Sequence, residues 1–296
     1  RLIASTLPCR QREQAKVGAN PLILLRGGGD LASGVAYRLR RAGLPVIITE
    51  LAKPLAVRTT VSYGMAAVYG AVIVEGIVAQ RAALDDLLGL YAMLEAGIIP
   101  VLIDPDGASI AALEPAVVID GRMAKTRQDT RIDQAPLVIG LGPGFTAGED
   151  CHAVIETNRG HYLGRVYWRG SAEPDTGLPA SLDGRQAERV LRAPCDGLLK
   201  PEAVIGQLLQ EGQLIARVGE RPVYAPFTGV LRGLLDDDTP VTAGMKIGDL
   251  DPRARREHCF TISDKSLAVG GGALEAVLAV PPIRALLSAR TVVEKT

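Results

Sequence analysis

The chain has 296 residues, 47% hydrophobic and only 4% aromatic, and its 33 Lys and Arg balance 33 Asp and Glu. A neutral, aliphatic chain has no global field to gather nucleic acid or an anionic membrane, and no apolar run approaches the roughly 18 residues a transmembrane helix needs. The length suffices for two modest domains with ordinary cores. The first 20 residues mix Arg10, Arg12, Glu13 and Lys16 with polar residues and show no signal peptide, so a cytoplasmic protein is expected. Because the chain opens on Arg1, its native N-terminus is expected upstream. Cys9, Cys151, Cys195 and Cys259 are scattered without a C-x-x-C pair, which excludes a disulfide framework and a zinc ribbon.

Residues 1–20 read as a lead-in. Leu22 to Leu25 is a short apolar run of the kind a buried parallel strand shows. Gly27-Gly28-Gly29 follows, then a helical pattern with Leu31, Val35 and Leu39 on one face, closed by Gly43. Val46 to Thr49 is a second buried strand ending on Glu50. Gly27-x-Gly29-x-x-Ala32 fits the dinucleotide fingerprint, with Glu50 at about the expected interval. In such a loop glycines admit a pyrophosphate, the helix N-terminus offers free N–H groups, and the acid accepts from a ribose. Arg26, just before the loop, is placed to meet a phosphate, and the loop with Lys53 and Arg58 lies above the strand ends. Further strands are expected at 98–103, 117–119 and 137–139, with an amphipathic helix over 84–94. The alternation predicts an α/β fold with a Rossmann-like, doubly wound parallel sheet.

The strand at 137–139 runs into a second glycine loop with Gly142 and Gly144, either ligand-facing or a plain turn. Cys151, His152, Glu156, Arg159 and His161 cluster behind it. Cys151 reads as a small buried thiol or, beside a cation, a reactive one. Asp120, Lys125 and Arg131 follow a strand end and are candidates for phosphate contact or proton transfer. No metal site is expected, since adjacent Cys-His residues in a strand point to opposite faces.

Residues 170–189 are rich in Gly, Pro, Ser and charge, the composition of a linker. Beyond them Ala193-Pro194-x-x-Gly197-x-Leu199 recurs as Ala225-Pro226-x-x-Gly229-x-Leu231, and Gly212-x-x-Ile215 recurs as Gly244-x-x-Ile247, at an offset of 32 residues. The repeat predicts a small all-β barrel-sandwich domain. It is similar to biotinyl and lipoyl domains, but the junction at Val218 to Pro222 has no carrier lysine. In the tail, Gly270-Gly271-Gly272 is expected to open a helix over 273–280.

The runs over 26–39, 42–62, 133–166 and 262–276 resemble a bacterial family, the YqeB-type accessory proteins of selenium-dependent molybdenum hydroxylase systems. With the barrel, the likeness covers most of residues 21–280. It implies a cytoplasmic maturation role and a molybdenum hydroxylase apo-enzyme as partner, near in idea to XdhC-type factors that handle molybdopterin. No nucleic acid or membrane partner is implied, and assembly with further copies is left open. The family's motifs fall on Gly27 to Asp30, Glu50, Gly142, Gly144, Cys151, His152, Glu156, His161, Asp264 and Lys265.

The expected organisation is therefore a lead-in (1–20), a Rossmann-like nucleotide-binding domain (21–169), a linker (170–189), a β-barrel domain (190–252) and a C-terminal segment (253–296) packing back on the first domain. The expected ligand is an NAD-like nucleotide or a molybdopterin dinucleotide, held by Arg26, Gly27, Gly28, Gly29, Asp30, Glu50, Gly142 and Gly144. Cys151, His152 and Lys265 are the candidate catalytic residues. The alternatives are an NAD-dependent oxidoreductase acting on a small substrate and a non-catalytic partner-binding scaffold.

Overall fold

The computed structural model describes residues 20–124, 129–175 and 188–289. The lead-in before residue 20, most of the expected linker and Lys125 lie outside these residues.

The chain builds strand β1 (Asn20–Arg26), helix α1 (Asp30–Arg41), β2 (Val46–Glu50), the short helix α2 (Ala66–Tyr69), β3 (Ala71–Val74), β4 (Ile77–Ala82), α3 (Leu87–Glu95), β5 (Ile99–Ile103), α4 (Ala108–Leu113), β6 (Pro115–Asp120), β7 (Leu137–Leu141), β8 (Thr146–Ala147), β9 (Ala153–Ile155), β10 (Val166–Tyr167) and β11 (Gly170–Ser171). Nine of these strands form one sheet in the order β10-β9-β7-β6-β1-β2-β5-β4-β3. Its interior pairs are parallel, while β3 and β10 close the two edges antiparallel. Successive side chains of a strand point to opposite faces, and the core divides accordingly. Ile23, Leu25, Ile48 and Val117 face α1, and Leu22, Leu24, Ile47 and Val118 pack with Leu90 and Leu94 of α3 and Leu113 of α4.

The remaining chain forms β12 (Val190–Arg192), β13 (Gly197–Pro201), β14 (Leu208–Leu209), β15 (Leu214–Val218), β16 (Arg221–Tyr224), β17 (Gly229–Leu234), β18 (Pro240–Val241) and β19 (Lys246–Asp251), then α5 (Asp264–Leu278) and α6 (Pro281–Ala289). The strands make two four-stranded sheets, β12-β19-β17-β14 and β16-β15-β13-β18, around Leu199, Ile215, Phe227, Leu231 and Ile247. The 32-residue repeat has a hydrogen-bond counterpart. Gly212 N–H donates to the carbonyl of Ala225 and Gly244 N–H to that of Ala193, at 2.9 and 2.8 Å, so each repeat closes the turn of the other. This β unit leans on the large sheet through Val57 and Arg58. A Cβ at Gly233 would lie 2.8 Å from the Val57 carbonyl, so glycine is what allows the contact.

The expected doubly wound parallel sheet plus barrel is corrected by this topology: the fold is mixed α/β, with one large mixed sheet and several antiparallel sheets. Between β6 and β7, and between β7 and β9, the described chain has no crossover α-helix. The helical cover comes from the far end of the sequence, where α5 packs on β7, β9 and β10 and α6 on β1 and β6. The expected helix entry at Gly270 is corrected as well. Helix α5 starts nine residues after Arg255 at Asp264, capped by the Ser263 hydroxyl accepting from Ser266 N–H at 3.1 Å, and the glycines sit inside it. Gly270 meets Gly34 of α1, where a Cβ would fall 2.4 Å from the Gly34 carbonyl. Mid-helix glycine costs about 1 kcal/mol against alanine, and the close crossing of the two helices offsets it.

Candidate functional site

A cleft of about 1170 Å3 opens between the carboxyl ends of the sheet strands and the β unit. Ligands of open α/β sheets lie on that side, because the strand ends and the loops after them leave a crevice. One wall carries the loops after β1, β2, β5 and β6, and the other carries Arg189, Arg192, Arg232, Lys246 and Asp249.

The first glycine loop is already engaged by the chain itself. Gly28 N–H donates to Glu50 Oε2 at 2.7 Å and Leu51 N–H to Glu50 Oε1 at 2.8 Å, so both carboxylate oxygens cap backbone. Burial raises the Glu50 pKa above its ordinary value, against the lowering effect of these two bonds. The close approach that glycine permits is made to Gly64: a Cβ on Gly28 would fall 2.5 Å from Gly64 Cα, and the Gly64 N–H donates to the Gly28 carbonyl at 2.9 Å. Gly27 adopts φ +89°, a conformation suited to glycine, and Gly29 lines the cleft with open space above it.

Arg26 and Asp30 are tied internally too. Arg26 is buried and donates to Asp129 Oδ2 at 2.8 Å. Arg122 bridges the other Asp129 oxygen at 2.7 Å and Asp120 Oδ2 at 2.6 Å, and the Thr130 hydroxyl also donates to Asp120. These two cations hold the Asp129 carboxyl down at about 2 against the opposing effect of desolvation. Asp30 accepts from Arg58 through both oxygens, at 3.1 and 3.2 Å, and from the Ser266 hydroxyl at 2.8 Å. Arg58 completes the junction by donating to the carbonyls of His258 and Thr261 at 2.8 and 3.0 Å. Asp30 thus joins α1, α5 and the β2 loop.

The opposite wall is different. The Arg232 side chain, only 14% exposed, makes no hydrogen bond with any described residue. Its nearest carboxylates are Asp249 at 3.7 Å and Asp251 at 3.9 Å, beyond hydrogen-bond reach. Desolvation and then the charge of Arg58 lower its pKa. Arg58 Nε is likewise buried without a partner. Lys246, at the start of β19, lines the same wall; desolvation lowers its pKa, and Arg189 and Arg232 act in the same sense. Preorganised cations short of partners, facing a solvent-filled cleft, can hold carboxylate or phosphate oxygens.

The other expected site residues are not gathered here equally. Lys265 lines the cleft, and the second glycine loop reaches it through Pro143. Gly142 and Gly144 have φ +75° and +101°, and a Cβ on Gly142 would strike the Thr157 hydroxyl, which accounts for that glycine as a turn requirement. Cys151 is fully buried in the apolar cluster beneath the sheet, away from the cleft lining, and burial pushes its thiol up to about 12. His152 accepts at its Nδ1 from Val138 N–H at 2.9 Å and is not among the residues that line the cleft. Glu156 is buried and accepts from the backbone N–H of Asn158 and Glu173. Among the described residues no group of three His, Cys, Asp or Glu converges as a metal site, and no single helix is long and apolar enough to cross a membrane.

Arg232 and Lys246 are the residues that sequence reasoning missed. For Lys246 the signal lay in the repeat: at the offset of 32, Lys246 stands where the first half has Leu214, and Asp249 where it has Arg217. Arg232 stands where the first half has Lys200, another cation, so the repeat does not mark it and only its burial does.

No family model matches the chain. Solved structures similar to it include an aspartoacylase family protein of Mesorhizobium loti (TM-score 0.26, 10% identity, 78% of this chain and 85% of that one). A succinylglutamate desuccinylase/aspartoacylase of Rhodobacter sphaeroides matches with TM-score 0.25 and 14% identity over 79% of this chain and 85% of that one. With the loop N–H of Gly28 committed to Glu50, both Glu50 oxygens occupied, and Arg26 and Asp30 paired, the expected maturation factor with a Rossmann-like nucleotide pocket is corrected. The NAD-dependent alternative falls with it, since it needs the same loop and the same acid. The protein YqeB of Escherichia coli (strain K12), itself uncharacterized, is 46% identical over 257 residues, 87% of this chain and 47% of that protein. The chain thus spans about half the length of the curated relative it matches, and a likeness of that extent supports a YqeB-type family.

Proposed function

We propose that the protein binds a small anionic molecule, carrying carboxylate or phosphate groups, in the cleft between the mixed sheet and the β unit. The observation that carries this reading is Arg232: a mostly buried guanidinium with five donors and no hydrogen bond among the described residues. Its ion pairs with Asp249 and Asp251 are long, at 3.7 and 3.9 Å, so its buried donors go unused among the described residues, and an anion entering the cleft would meet them. The wall supports the same sense of charge, with Arg192 and Lys246 beside it and Arg58 held across from it by Asp30. Glu50, with its raised pKa, marks the opposite rim. A guanidinium fork would take two oxygens of one anionic group, and Lys246 would meet a second as a point charge.

Isothermal titration calorimetry with inorganic phosphate, succinate and citrate tests it. At least one of these anions should bind saturably, and Arg232→Gln should weaken that binding by about tenfold or more, the value of a charge-assisted pair. Binding by none of them, or unchanged binding by the variant, overturns the reading.

A further inference from the structure

A second cavity, of about 390 Å3, lies beside the first and shares Arg159, Arg189, Arg232 and Ser263 with it. Its own lining adds Arg253, His258, Thr261, Ile262 and Asp264. Four arginines therefore face a single carboxylate. That carboxylate, Asp264, is already taken by Arg159 through two bonds of 2.7 and 2.8 Å, and its acidity is strengthened accordingly. Arg253 is fixed by Asp251 at 2.9 and 2.6 Å, and Arg189 by Asp249 at 2.9 Å. These pairs hold guanidinium groups around the cavity, while Arg232, which lines both cavities, reaches Asp249 and Asp251 only at 3.7 and 3.9 Å, beyond hydrogen-bond reach. The first turn of the fifteen-residue α5 opens at the same place, which adds a favourable field for negative charge.

We infer that the smaller cavity is a subsite for a phosphate group, and that the ligand is a phosphomonoester whose remaining part lies in the larger cleft beyond Arg232. This rests on the anion-binding reading above and narrows it. The lining favours phosphate over carboxylate because several guanidinium groups surround one space. A dianion with three free oxygens satisfies more of their donors than a carboxylate with two. Arg232 lines both cavities and so joins the two parts of the site.

The experiment measures inorganic phosphate and succinate binding by calorimetry on the wild type, Thr261→Glu and Leu55→Glu. Thr261 is exposed and lines only the smaller cavity, and Leu55 is exposed and lines only the larger. Phosphate should bind the wild type, lose about tenfold or more in Thr261→Glu through like-charge repulsion, and stay within about twofold in Leu55→Glu. His258→Glu, placed in the same cavity as Thr261, should repeat the loss and guards against a folding fault in the first variant. Phosphate binding that survives both acidic variants of the smaller cavity but fails in Leu55→Glu moves the phosphate to the larger cleft and overturns the subsite. Succinate binding without phosphate binding overturns the subsite while keeping the anion cleft. Binding of neither removes both.

Discussion

The two walls of the cleft treat their cations in opposite ways. On the sheet side Arg26 and Arg122 share Asp129, and Arg122 also reaches the buried Asp120, all within 2.6 to 2.8 Å. On the β-unit side Arg232 has no carboxylate nearer than 3.7 Å, and Lys246 lies in a setting that disfavours its charge. The first wall is complete as it stands and holds the strand ends together. The second pairs Arg189 with Asp249 at 2.9 Å but leaves Arg232 with ion pairs of 3.7 and 3.9 Å and no hydrogen bond among the described residues, and a buried cation held so loosely costs stability. The difference teaches that motif position is a poor guide to a site: the glycine loop and its acid belong to the finished wall.

The largest effect should come from breaking the finished wall. Asp120 is 1% exposed and accepts from Arg122 and Thr130. Asp120→Ala strands those donors and should cost roughly 3 kcal/mol of unfolding free energy, read from urea midpoints. A loss under about 1 kcal/mol would mean that the network is no more than a surface ion pair. Glu50→Ala comes next. It removes the acceptor of two backbone N–H groups at the glycine loop and should cost about 2 kcal/mol. A variant that keeps its stability would show the loop holding itself without the acid, and would reopen the loop to a ligand.

Arg232→Met inverts the sign. The methionine keeps much of the side chain's packing, and no hydrogen bond is lost because the arginine makes none with the described residues. Exchanging a poorly paired buried charge for an apolar side chain should leave stability unchanged or raise it by about 1 kcal/mol, while anion binding falls. Stability and binding moving together in this variant would place Arg232 with the finished wall after all.

Much of the local structure was legible in the sequence, and the assembly was not. The strand, helix and strand over 22–49 stand where apolar spacing puts them, with Val35 and Leu39 buried and Gly43 at φ +81° ending the helix. Those signals are local, set by side-chain period and backbone sterics. The strand order of the large sheet depends on pairings that no short window of sequence contains, and so does the cover of α5 over strands about a hundred or more residues away. Gly270 was misread because its propensity opposes a helix, whereas its packing on Gly34 requires one. At the site, the residue types in the glycine motif are compatible with a ligand or with self-capping, and only geometry tells which. Arg58 was visible as a cation above the strand ends; that Asp30 would claim it was not.

The smallest effect is also the one that reads the unfinished wall most directly. Lys246 is an exposed residue, but desolvation of its ammonium against the cleft wall lowers its pKa from the 10.5 of an ordinary lysine, so the folded chain releases that proton at a lower pH than the unfolded chain does. Between the folded value and 10.5 the unfolded state binds more protons, and stability contributed by this group rises with pH across that window. The contribution is complete above 10.5 and lost as pH falls through the folded value, so at pH 7 the charged lysine destabilises the fold. Lys246→Met removes the effect. The variant should be slightly more stable than the wild type at neutral pH, and the gap should shrink steadily as pH climbs toward the ordinary lysine range. A bound dicarboxylate stabilises the ammonium and should close the same gap at pH 7 from the other direction, by linkage. Urea midpoints of both proteins at several pH values, with and without succinate, measure it. A gap that ignores both pH and succinate would show that Lys246 is an ordinary solvated lysine and that the wall's charge deficit resides in Arg232 alone.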